Sequence, residues 1–162
     1  MVKVTLANAL KYKNRLAEKL SKVSGLVQTH NSGNEERTVP VDVRKQYELR
    51  QQVVAALIEI KNAIYQANQG IQSRIFTNAE RKVEITFLGS INTSEGISER
   101  TVRWGADEKV VKLNAVIKFD EVQARIADLE AAIDKTQDEI DAYNHATVLD
   151  LNDSVLDALK AK

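Results

Sequence analysis

Apolar residues between positions 119 and 143 recur with the spacing of a helix. The intervals alternate between three and four residues, and Thr136 occupies the one polar position in the series. A heptad stripe of this length is typical of a helix that packs lengthwise against other helices. The pattern therefore predicts a long packing helix, with the apolar stripe Phe119, Val122, Ile126, Leu129, Ile133, Ile140 and Tyr143.

Two further helices are predicted in the first half of the chain. The first runs over about residues 6–28, with Thr5 as a plausible N-cap. A polar connection follows, and Asp42 can cap a second helix that continues to about Asn68. Gly70 is a natural residue to end it. Both segments carry one apolar face, as amphipathic helices do.

Residues 80–91 give conflicting signals. The segment Lys82–Leu88 alternates apolar and polar residues, which is a strand pattern. A capping box begins at Thr77, however, and apolar residues recur every four positions, as on a helix. We favour a helix and keep the strand as the alternative. The helical series is Ala79, Val83, Phe87 and Ile91.

The best strand candidate is Val110–Phe119, because its apolar residues alternate. It can pair with Thr101–Trp104 as a hairpin, which places a small β element near residues 100–118. The predicted fold is mainly α, an elongated antiparallel bundle of coiled-coil-like helices. Residues 1–151 form one helical domain, and 152–162 form a C-terminal docking tail.

Composition supports helix packing. Aromatic residues make up only 5% of the chain, there is one Pro, and there is no Cys. Thiolate metal sites and disulfides are therefore excluded. No run approaches the roughly 20 apolar residues that span a bilayer, and the charged N-terminus lacks the apolar core of a signal peptide. We expect a protein of the cytoplasm, or of a virion, without a membrane span.

Charge is unevenly distributed although the net charge is zero. Residues 1–30 hold six Lys or Arg and one acid, whereas residues 120–157 hold eleven acids and two basic residues. One interpretation is a nucleic-acid-binding face on the first helix. The interpretation that we favour is that the basic and acidic helices lie side by side, in one chain or across a subunit contact. We therefore expect no nucleic-acid partner.

Residues suited to catalysis are few. The two histidines, His30 and His145, each lie beside a predicted helix end, where they can interact with exposed carbonyls. Asp134, Asp138 and Asp141 share one side of the last long helix, and carboxylates at this spacing can bind a divalent cation. They lie outside the apolar stripe, so a solvated face is the favoured interpretation. We predict no catalytic residue, no cofactor and no metal.

Two segments are candidates for partner contact. Trp104 with Arg100 and Arg103 combines residue types that are enriched at binding hot spots; the alternative is a Trp that plugs the end of the core. The C-terminal tail is too apolar for a solvated segment. Its host is either the chain's own helices or, as we favour, a neighbouring subunit. The tail candidates are Val148, Leu151, Val155, Leu156 and Leu159.

Several segments resemble a known family. TLANALKYKNRLAEKL, IKNAIYQANQ, ERKVEITFLGSI and FDEVQARIADLEAAIDKTQDEIDAYN are similar to the helical stretches of the bacterial septicolysin-like family, over roughly residues 3–151. The chain departs from that family at Tyr143-Asn144-His145, where the family has Asn-Trp, and in residues 152–162, which look like an addition. The resemblance implies a mainly helical, oligomeric protein with a helical middle segment. It implies no enzymatic activity and no functional residues.

The sequence thus indicates a non-enzymatic structural or interaction protein that acts as a homo-oligomer. Helix faces and the tail would make the self-contacts, and other structural proteins could bind as well. A virion component of a tailed phage is one subclass. The alternatives are a septicolysin-like toxin that acts on membranes and an enzyme whose site forms at a subunit interface.

Overall fold

The computed structural model of the chain describes residues 1–33, 41–99 and 110–161. Over these ranges the chain is mainly α, as predicted. Its contacts divide it into two compact units, Met1–Gln72 with Ile140–Lys162, and Ser73–Glu139. The elements are β1 (Val2–Thr5), α1 (Leu6–His30), α2 (Val43–Asn68), α3 (Gln72–Ser90), β2 (Gly96–Glu99), β3 (Val110–Leu113), α4 (Phe119–Ala146), β4 (Val148–Leu151) and α5 (Asp153–Lys160).

The first unit is built on the helix pair α1 and α2. Both helices begin where the sequence predicts, because a side-chain oxygen accepts a hydrogen bond from an otherwise unsatisfied backbone N–H. Thr5 Oγ1 accepts from Asn8 N at 3.3 Å, and Asp42 Oδ1 accepts from Lys45 N at 3.1 Å. The two caps fix the starts of the helices whose apolar stripes form the core.

The α1–α2 seam holds several of the fully buried side chains of the first unit. Leu16 on α1 and Val53 and Ile60 on α2 are fully buried. At the edge of the seam, Arg50 Nε donates to Ser24 Oγ at 3.0 Å. The buried core around them comprises Val4, Leu6, Ala9, Leu16, Val23, Leu49, Val53, Ala56, Leu57, Ile60, Ile64, Leu149, Leu151, Val155 and Ala158.

The two ends of the chain complete this unit. Strands β1 and β4 pair antiparallel, with Val2 opposite Leu151 and Thr5 opposite Val148. Helix α5 then packs against α2 and α1. This sheet is absent from the sequence prediction because each strand has only four residues and its partner lies at the other end of the chain. Short apolar runs without a local turn give no hairpin signal.

The second unit contains an antiparallel pair formed by α3 and the part of α4 up to Glu139. The helix that we favoured for residues 80–91 is confirmed as far as Ser90, where α3 ends. Ile85 and Leu88 face α4, so helical packing overrides the local strand preference of the β-branched residues. Thr77 is not a cap: α3 begins at Gln72, and Thr77 Oγ1 donates to Ser73 O at 2.9 Å within the helix.

The small β element of the second unit is shorter than predicted. Strand β3 ends at Leu113 and pairs antiparallel with β2, with Gly96 opposite Leu113. The predicted partner, Thr101–Trp104, lies outside the described residues. The alternation of apolar residues suggested a strand that continues to Phe119, but residues 114–118 lead into α4, which begins at Phe119. In this connecting segment, Lys118 Nζ contacts Glu95 Oε1.

Candidate functional site

The contact residues predicted from the sequence fall into two groups. Arg100, Arg103 and Trp104 lie outside the described residues, so their role in partner contact stays a prediction. The remaining five, Val148, Leu151, Val155, Leu156 and Leu159, lie on β4 and α5 in the first unit.

The C-terminal segment docks within its own chain, which corrects the preference for a neighbouring subunit. Leu151 and Val155 are 1% and 0% exposed, and Leu156 and Leu159 are half-buried. Of the five candidates, only Val148 is exposed. The physical reason is that α1 and α2 need a third surface to close their seam. Because α3 and most of α4 belong to the other unit, β4 and α5 supply that surface.

A groove of about 550 Å³ lies on the first unit between α1, α2 and the end of α5. Its apolar lining includes Val23 and Leu49, which are buried, and Leu26, which is half-buried. Its rim includes Arg15 and Lys22, two exposed residues of α1. We call this feature the basic groove. An apolar floor with charged edges is typical of a surface that binds a helix or an extended segment.

Lys19 also lines the basic groove, but its ammonium group is engaged by α5. Lys19 Nζ donates to Ala158 O at 2.7 Å, to Leu159 O at 3.4 Å and to Ala161 O. These carbonyls belong to the last turn of α5 and the residue after it, so Lys19 caps that helix. Burial lowers the pKa of the Lys19 ammonium, whereas the carbonyl oxygens favour its charged form. We therefore assign Lys19 to holding α5 in place.

Arg15 and Lys22 leave positive charge at the rim. Both side chains are exposed, and neither makes an ion pair within 4.0 Å with another described residue. Glu18, on the same side of α1, offsets part of their charge. The rim therefore keeps a positive surplus that is directed toward solvent. The sequence shows the basic helix, but not that its charges border an apolar groove.

The second unit carries an exposed apolar stripe on α3. Phe76, Ala79, Val83 and Phe87 follow one side of the helix, and we call them the outer α3 stripe. The three large side chains are 61%, 62% and 57% exposed. The opposite side of α3 packs on α4 through Ile85 and Leu88. The sequence predicts Ala79, Val83, Phe87 and Ile91 as a helical series. The first three face solvent, whereas Ile91 is half-buried and packs on the core of the second unit.

Thr136, the one polar position in the apolar stripe of α4, has a hydrogen-bond partner on α3. Arg81 Nη1 donates to Thr136 Oγ1 at 2.7 Å and to Ala132 O at 2.9 Å. Beside it, Asn78 is only 4% exposed, and its Nδ2 donates to Ile133 O at 3.3 Å. A polar position within an apolar helix seam fixes the register of the pair. We therefore assign these side chains to alignment of α3 with α4.

Helix α4 presents acidic residues on its exposed side. Glu130, Asp134 and Asp138 are exposed and make no ion pair within 4.0 Å with another described residue. We call these three residues the acidic α4 stripe. Across residues 1–33, 41–99 and 110–161, no three carboxylate or imidazole groups are arranged so that they could hold a metal ion.

Comparison of the chain with protein-family models, with curated proteins and with solved structures gives no match. The resemblance to the septicolysin-like family therefore stays a prediction. In the described part of the chain, no helix has both the length and the hydropathy that crossing a bilayer requires. The candidate functional surfaces are the outer α3 stripe, the basic groove and the acidic α4 stripe.

Proposed function

We propose that this chain is a non-enzymatic structural or interaction protein that acts as a homo-oligomer through helix faces. The observation that carries the proposal is the outer α3 stripe, whose three large apolar side chains are all more than half exposed. Contiguous apolar patches of this kind mark interaction sites. A virion component of a tailed phage belongs to this class, since such a role requires repeated self-contact.

A second copy of the chain suits the stripe because the stripe is nearly symmetric. It has a phenylalanine at each end and smaller side chains between them. If two copies of α3 pair antiparallel, Phe76 of each copy lies near Phe87 of the other, and Ala79 lies near Val83. A two-fold contact requires such self-complementarity. Two α3–α4 pairs would then form a four-helix arrangement.

The expected contact is weak. Burying the half-exposed side chains of both copies yields roughly 5–10 kcal/mol at the usual value for apolar burial. Association costs about 4–15 kcal/mol in lost rotational and translational freedom. The two terms are similar, and even the most favourable difference, about −6 kcal/mol, corresponds to a dissociation constant of tens of micromolar. The α3 contact alone should therefore give a concentration-dependent dimer only at tens of micromolar or above.

The test is the double substitution Phe76→Ser/Phe87→Ser, with the oligomer mass measured by sedimentation velocity over a range of concentrations. The control is Ile58→Ser on α2, because Ile58 is 58% exposed and belongs to the other unit. We expect the dissociation constant to rise about tenfold or more in the double variant, since two apolar side chains per copy are lost. The control should have the same dissociation constant as the parent chain. A parent chain that is monomeric at every concentration, or a double variant with the parental mass, contradicts the proposal.

A further inference from the structure

We infer that the basic groove of one copy binds the acidic α4 stripe of a second copy. The inference rests on the proposed self-association and names a second contact for it. It joins the first unit of one chain to the second unit of another. It therefore differs from the α3 contact, in which each copy uses the same face.

Charge complementarity is the first argument. The groove rim carries Arg15 and Lys22, which make no ion pair with another described residue. The acidic α4 stripe has the opposite charge and likewise makes no ion pair with another described residue. The sequence of the first unit holds 13 basic and 10 acidic residues, and that of the second holds 10 and 13. Opposite patches steer encounter and fix orientation, whereas like patches repel. A contact between unlike units is thus favoured over one between two first units.

Helix geometry is the second argument. Arg15 and Lys22 are seven residues apart, which places them on the same side of α1, about 10 Å apart along the axis. Glu130 and Asp138 are eight residues apart, about 12 Å along α4, with Asp134 midway. Two charges on α1 and three on α4 therefore extend over similar lengths. An α4 helix laid along the rim can meet both cations at once.

The surroundings of the acidic α4 stripe fit the groove floor. Ala127 and Ala131 follow the same side of α4, each three residues before a stripe carboxylate, and both are exposed. Small side chains let a helix approach its partner closely. The alanines can then cover Leu26, which is half-buried in the groove.

The apolar seam of α1 is not available for this pairing, because α2 and α5 of the same chain fill it. The cations at the groove rim make no ion pair with the described residues of their own chain. The pairing that we infer uses this rim and a second copy. Combined with the α3 contact, it would extend the assembly, since a head-to-tail contact closes a ring or continues as a filament.

The test isolates this contact in a parent that already carries Phe76→Ser/Phe87→Ser. Two variants are made in that background, Arg15→Glu/Lys22→Glu and Asp134→Lys/Asp138→Lys, and each is sized by sedimentation velocity. Each should raise the dissociation constant about tenfold or more, because attraction becomes repulsion at two positions. Lys61→Glu, an exposed cation on α2 outside the groove, should match the parent, whereas Lys22→Glu alone should weaken association.

Mixing the two charge variants gives the decisive result. The intact groove of one variant suits the intact stripe of the other, and the reversed groove suits the reversed stripe. An equimolar mixture should therefore associate as strongly as the parent, although neither variant associates alone. All four substitutions in one chain should restore self-association. Glu18→Gln should tighten it, because one opposing charge leaves the rim. Raising NaCl from about 0.05 M to about 0.5 M should loosen it.

Three outcomes would overturn the inference. The first is a parent with Phe76→Ser/Phe87→Ser that is monomeric at every concentration, which leaves the α3 proposal standing. The second is an unchanged mass in either charge variant. The third is charge variants that lose folding stability but not mass, which would place the interaction within one chain. Conversely, association that survives the α3 substitutions unchanged and is lost with the charge reversals supports the groove contact and contradicts the α3 contact.

Discussion

At the scale of single residues, Gly70 lies where the sequence predicts the end of a helix, but glycine is required there for a different reason. The sequence predicts Gly70 as a helix stop, for which glycine usually adopts a left-handed conformation. In the described residues the only glycine with positive φ is Gly96. Gly70 is required instead by space, because a Cβ there would lie 2.6 Å from Tyr143 Oη. That hydroxyl donates to Ala67 O at 2.9 Å.

We predict that Gly70→Ala destabilises the first unit by about 1–3 kcal/mol, the usual cost of overpacking. Adding Tyr143→Phe should relieve much of this cost, because it removes the atom that the new Cβ meets. The measurement is urea unfolding of both single variants and the double variant, read as a mutant cycle. The control is Gly25→Ala in α1, which meets nothing within 4 Å and should stabilise the helix by about 0.5–1 kcal/mol. Additive effects of the Gly70 and Tyr143 changes would contradict the steric account.

At the scale of elements, the strength of the periodic signal decided what could be predicted. Long helices with a cap and an apolar stripe, α1 and α2, were predicted nearly to the residue. The paired strands β1 and β4 were not predicted, since no turn or residue pattern near either strand in the sequence indicates its partner. For α3 the sequence predicted a helix but not its orientation. Apolar residues occur on two sides of it, and only packing shows that Leu88 faces inward and Phe87 outward.

The apolar stripe of α4 gives a prediction that separates its buried members from its half-buried members. Leu129 is 7% exposed in the core of the second unit, whereas Ile133 is half-buried. We expect Leu129→Ala to cost about 2–5 kcal/mol and Ile133→Ala less, about 1–2 kcal/mol. Asp134→Asn, on the exposed side, should stay within about 0.5 kcal/mol. Chemical unfolding followed by far-UV circular dichroism measures all three. A carboxylate change as damaging as the leucine change would show that the acidic side of α4 is part of the fold.

At the scale of the whole molecule, the division into two units explains why the tail's host could not be predicted. If the three longest helices completed one another's apolar stripes, an apolar tail would have nothing left to cover in its own chain. That assumption fails because α3 and most of α4 belong to the second unit, which leaves α1 and α2 with an open seam. A stripe in the sequence shows that a helix has a partner, but not which one.

The tail therefore carries the last prediction, made for deletion of residues 152–162. Val155 and Ala158 are 0% and 3% exposed, and Leu156 and Leu159 are half-buried, so the deletion uncovers roughly 4–8 kcal/mol of apolar burial. That amount is comparable with the 5–15 kcal/mol that stabilises a typical domain. We expect the first unit to lose its cooperative thermal transition and the chain to lose helix content. Val148→Ser, at an exposed position of the adjoining strand, is the control and should melt like the parent. A truncated chain that keeps its helix content and melting temperature but loses oligomer mass would show that the tail acts between subunits after all.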